Sequence, residues 1–113
     1  MIALTAKSRI LLAREPADFR RGIDGFQALC RNQLAQDPKQ NVWFVFFNRS
    51  RTQVRILHYD DNGFWLMTKR LSRGHFPRPD RSSAIADLLT AAELSQLLKG
   101  WIISSPSKSK KAA

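Results

Sequence analysis

The 113 residues are enough for one hydrophobic core and too few for two independent ones, so a single domain is expected over residues 2–103. Apolar residues at 43% supply that core, while nineteen Lys and Arg against nine Asp and Glu give a net charge of +10 that favours anionic partners, nucleic acid first. A lone Cys30 excludes an internal disulfide and a multi-cysteine zinc knuckle, no stretch approaches the roughly 20 apolar residues of a membrane span, and no signal-peptide pattern precedes Lys7, which together lead us to expect a cytoplasmic protein.

In chain order, Ile10-Leu11-Leu12 reads as a first strand, broken at Arg14-Glu15-Pro16. Pro16 suits a first helical turn and Asp18 a cap. Phe19, Ile23, Phe26, Cys30 and Leu34 then recur at helical spacing until Asp37-Pro38. Gly22 and Gly25 inside that pattern each cost about 1 kcal/mol relative to Ala and imply close packing, with a sheet as the simplest neighbour.

Three strand-like runs follow, 42–47, 53–59 and 64–71, joined by turn-rich Asn48-Arg49-Ser50-Arg51 and Asp60-Asp61-Asn62-Gly63, and read as consecutive hairpins. The first run is apolar on both faces. The helix can cover one; the other requires the C-terminal segment, a second copy of the chain or another protein, which leaves a homo-oligomer open. Residues 75–80 are expected to be extended, Thr90-Ala91-Ala92-Glu93 has the form of a capping box, and Leu94, Leu97 and Leu98 make the apolar side of a short helix. Gly100 is placed to stop it, Trp101-Ile102-Ile103 to dock on the core, and the basic stretch 104–113 to trail as a disordered tail. The fold expected is α+β: an N-terminal helix on an antiparallel meander of three to five strands, with a short C-terminal helix.

Chemistry concentrates between Arg49 and Arg81, where eight basic residues face three acids. The hairpins are expected to bring Arg49, Arg51 and Arg55 to the same end of the sheet as Lys69, Arg70 and Arg73, with Arg20 and Arg21 as additions. Guanidinium forks suit phosphate, and Tyr59, Trp65 and Phe76 are candidates for stacking on unpaired bases. No catalytic residue, metal site or cofactor is expected. The carboxylates are scattered, His58 and His75 lack ligand spacing, and neither a phosphate loop nor a nucleophile elbow occurs.

Asp18-Phe19-Arg20-Arg21-Gly22-Ile23-Asp24-Gly25 resembles the D-x-R-K/R-G-x-D-G opening of the Orf2-like TnpB proteins of insertion sequence 66 transposons, which are distinct from the RNA-guided nuclease of the same name. The resemblance runs through Phe46-x-Asn48-Arg49-x-Arg51, Val54 to Asp60, Gly63 to Leu66, Lys69-Arg70-Leu71 with Gly74, Phe76 and Pro79, and Leu94 to Gly100. Arg55, Tyr59 and Ser72 depart from the family's usual Lys, Trp and Glu. It implies a non-catalytic accessory protein of DNA transposition, encoded beside a transposase. Two roles are open: non-specific nucleic-acid binding through the basic hairpin surface, with DNA the first candidate, or docking on the transposase and other proteins of the element.

Overall fold

The computed structural model describes residues 4–5, 7–77 and 86–100. Five strands, β1 (Ile10–Ala13), β2 (Trp43–Phe47), β3 (Gln53–Asp60), β4 (Gly63–Arg70) and β5 (Ala86–Leu89), form one sheet in the order β4-β3-β2-β1-β5. Helices α1 (Ile23–Asn32) and α2 (Ala91–Leu98) complete an α+β fold.

The sheet is mixed, which corrects the expected antiparallel meander. Strands β2, β3 and β4 are consecutive antiparallel neighbours, but β1 runs parallel to β2, with Leu11 opposite Phe44. A parallel pair needs a crossover, and the segment carrying α1 provides it. The short β5, absent from the sequence reading, closes the other side of β1 in antiparallel register.

The central strand explains the layering. Every residue of β2 is buried, because each face of the sheet is covered by a helix. On one face Phe44 and Phe46 join Leu57 beneath Phe26, Cys30 and Leu34 from α1 and the turn after it. The Phe26 ring meets Phe46 edge-on at 5.1 Å between centroids, and each such phenyl group contributes about 2–3 kcal/mol by leaving water. On the opposite face Trp43, Val45 and Phe47 pack with Ile56, Phe76 and Leu94 of α2. The cover that β2 needs on its second face therefore comes from the C-terminal segment. Thr90 and Glu93 complete the capping box at the start of α2, and Gly100, with φ 71°, ends that helix as its sequence suggests.

Helix α1 departs from the sequence reading at its start. It begins after Gly22 and not at Pro16, and no side chain caps it. Asp18 is occupied elsewhere, its Oδ1 accepting the Arg20 amide at 3.0 Å, while the Ala17 N–H donates to the Phe47 carbonyl at 2.8 Å. The segment before α1 is thus tied to the end of β2 as a loop, and Ile23 is left 39% exposed. Gly25 is explained by Arg21 and not by the sheet: a Cβ there would lie 2.7 Å from the Arg21 Cβ. The chain leaves α1 at Asn32, ahead of Asp37-Pro38, through Ala35 in the left-handed region at φ 55°. The expectations for residues 78–85 and 101–113, including Pro79, Arg81, the docking of Trp101-Ile102-Ile103 and the tail, lie outside the described residues.

Candidate nucleic-acid interface

Two loops meet at one end of the sheet on the α1 side. The first is the Asp18 to Arg21 segment. Both Asp18 carboxylate oxygens accept from the Arg20 guanidinium, the shorter contact 2.7 Å, and the Arg21 N–H donates to the Asp18 carbonyl. Those hydrogen bonds hold the Asp18 carboxyl well below the usual carboxylate range and raise the Arg20 guanidinium above its own. Asp18 therefore stays ionised near neutrality and offsets much of the Arg20 charge.

The second loop is the β2–β3 turn. Asn48 organises it, its Oδ1 accepting the N–H groups of Thr52 and Gln53 at 3.0 Å each, while its Nδ2 donates to the Thr52 hydroxyl. Arg51 in this turn has φ 60°. The tight path sends neighbouring arginines to opposite sides.

Between these loops and the side of α1 lies a cleft of about 990 Å³. Arg20, Arg21, Arg49 and Arg55 line it, so four of the eight basic residues singled out from the sequence converge there. Ala17, Phe19 and Leu29 contribute carbon, and Gln33, Asn48 and Gln53 contribute amides. Arg55 ties the first loop to the sheet: its Nε donates to the Thr68 hydroxyl of β4 at 2.9 Å and its Nη1 to the carbonyls of Phe19 and Arg21 at 2.8 and 3.0 Å. Its guanidinium also lies 4.8 Å from the Phe19 ring centroid. Arg55 is thus a positioning residue that fixes the Phe19 to Arg21 backbone on β3. Arg21 and Arg49 are exposed, and neither side chain has a hydrogen bond or ion pair among the described residues.

The other four basic residues do not share this cleft equally. Arg70 is exposed opposite Gln53 in the β3–β4 ladder, on the same sheet face as Arg55, and so extends the positive rim. Lys69 points to the other face and donates to the Leu98 carbonyl at 2.8 Å, satisfying an acceptor at the end of α2. Arg73 is exposed on the segment after β4. Arg51 is only 7% exposed, sits 4.2 Å from the Phe47 ring centroid, and donates to the carbonyls of Phe76 and Pro77. Its charge is spent on tying the turn to the chain beyond β4.

The aromatic candidates divide similarly. Phe76 is fully buried in the α2-side core and offers no face to a base. Tyr59 is half-buried against Phe64, and Trp65 is 46% exposed with its Nε1 donating to Asp60 at 2.9 Å; both lie toward the opposite end of β3 from the cleft. His58 is buried, stacked on Trp43 with centroids 3.7 Å apart and its Nδ1 3.2 Å from the Val42 carbonyl, a packing role. Among the described residues no group of three or more His, Cys, Asp or Glu is placed to hold a metal ion, and no helix is long and apolar enough to cross a membrane.

The sequence places Asn48 in a hairpin turn and in the family motif but gives it no part in the candidate site, and it gives none to Gln33 or Gln53. Asn48 had a usable signal, since an Asn four residues before Thr at a hairpin turn suits side-chain capping of the turn. The two glutamines had none, because only the tertiary fold brings α1 beside β3.

Comparison with known proteins places these motifs in context. The profile described as IS66 Orf2 like protein matches residues 8–108. Two uncharacterized proteins of Sinorhizobium fredii are similar: y4jC, 38% identical over 70% of this chain and 68% of its own, and y4hO, 34% identical over 81% and 79%. No solved structure matches.

Proposed function

Because the chain belongs to the IS66 Orf2-like family, we propose that it is an accessory protein of transposition and that its cleft binds the phosphate backbone of nucleic acid. The observation that carries this reading is the convergence of Arg20, Arg21, Arg49 and Arg55 on one cleft, with Arg21 and Arg49 unpaired among the described residues. Unpaired guanidinium groups keep their full hydrogen-bonding capacity for phosphate oxygens and release counterions on binding. Such contacts position the protein on the strand without reading its sequence. The alternative, docking on a partner protein through a bare apolar sheet face, finds less support, since α1 and α2 cover the two faces of β2.

The test is a salt titration of binding to labelled DNA, with Arg21→Glu, Arg49→Glu, Arg70→Glu as the charge-reversed control. For three phosphate contacts on duplex DNA the log–log slope should be about −2.7 in the native protein and near zero in the folded variant. A native slope that the variant leaves unchanged would remove the cleft from the account, and absence of binding near physiological salt would remove nucleic acid altogether.

A further inference from the structure

The cleft holds more than cations, and its remaining lining says what kind of strand it suits. A duplex keeps its bases stacked inside and offers a protein mainly ridges of phosphate, for which exposed arginines on any convex surface suffice. Here the arginines surround a concavity whose volume, about 990 Å³, falls at the upper end of the range for sites that enclose a small molecule. Phe19 and Leu29 supply a carbon surface that a phosphate ridge leaves unused. Gln33 and Gln53 are half-buried beside it, and their side-chain amides make no hydrogen bond among the described residues. No buried side-chain polar atom of the described residues lacks a partner, so both amides are reached by solvent and can exchange water for the donors and acceptors of a ligand.

Resting on the phosphate-binding reading above, we infer that the cleft takes an unpaired nucleotide of a single-stranded segment. Its phosphate lies on Arg21 and Arg49, its base against Phe19 and Leu29, and the polar edge of that base on Gln33 and Gln53. Each base carries donors or acceptors on its edge and a flat apolar face, and only an unpaired base can present both to a protein.

The experiment compares binding of the full chain, at one fixed salt concentration, to labelled single-stranded DNA, single-stranded RNA and a duplex of matched length, with native protein and a Gln33→Ala, Gln53→Ala variant. Single strands should bind about ten-fold tighter than duplex. The variant should lose about three- to ten-fold on single strands and nothing on duplex, and the DNA and RNA arms separate the two sources of unpaired nucleotide. Equal binding of duplex and single strand, with the variant indistinguishable from native, would overturn the unpaired-nucleotide site while leaving phosphate binding intact. No binding to any strand would overturn both. Should the variant fail to fold, 2-aminopurine in the single strand decides with native protein alone: its emission should change on binding at the occupied position, and unchanged emission at every position would overturn the inference.

Discussion

Arg49 and Arg51 sit two residues apart in one turn and meet opposite fates. On the α2 side of that turn, Phe47, Phe76 and the Arg51 guanidinium close the end of the sheet, with the Arg51 Nε and Nη2 donating to the backbone carbonyls of Phe76 and Pro77. On the α1 side the corresponding corner stays open, because a cleft lies between the Asp18 to Arg21 loop and the β2–β3 turn, and Arg49 lines it. Both residues are counted alike in a net charge of +10. A guanidinium keeps its full hydrogen-bonding capacity for an external anion only where the fold leaves it without an internal partner.

The largest expected effect attacks the sealed side. Arg51→Glu places a carboxylate against carbonyl acceptors in a buried site and should lower unfolding free energy by on the order of 4 kcal/mol in urea denaturation, whereas Arg49→Glu should stay within about 0.5 kcal/mol of native. Comparable losses from the two variants would erase the distinction. Next, Leu94→Ala should cost about 3 kcal/mol, since Leu94 is fully buried and anchors α2; a silent substitution would mean that this helix does not cover the sheet.

A smaller effect sharpens the comparison within the cleft. Arg49→Glu should weaken nucleic-acid binding by about ten-fold and reduce the salt slope by about one, while Arg20→Gln should do less because Asp18 already offsets that charge. Equal losses would show that the ion pair opens freely for the ligand. The smallest effect concerns the core beneath α1. Burial pushes the Cys30 thiol up to about 12 from 9.0, so its contribution to stability is complete below pH 9 and declines as pH rises between those values, where the unfolded chain ionises first. Native protein should accordingly resist alkylation at pH 8, and rapid labelling under native conditions would contradict a sealed α1-side core.

Much of the fold was legible locally. The runs that became β2, β3 and β4 alternate or saturate with apolar residues between turn signals, and the Thr90 to Glu93 box and Gly100 fixed the limits of α2. What failed depended on partners distant in sequence. Asp18 carries the signal of a helix cap and of a side-chain-stabilised turn alike, and the hydrogen bond from Ala17 to the end of β2 decides between them. Strand β5 is four residues long, and its pairing with β1 joins segments more than seventy residues apart, beyond any local periodicity. The lining of the candidate cleft was half legible. The sequence names Arg20, Arg21, Arg49 and Arg55 by type and position, and the fold brings them to one cleft, but that Arg55 serves the backbone, Arg51 the interior and Lys69 a helix end follows only from the hydrogen bonds of the folded chain.

The most direct test of the central claim is an NMR titration that follows each arginine Nε–H as a short oligonucleotide is added. Arg21 and Arg49 should shift strongly and early, while Arg51 should hold its position throughout. Shifts spread evenly over exposed arginines on both sides of the sheet, with none larger at the cleft, would contradict a defined binding site there.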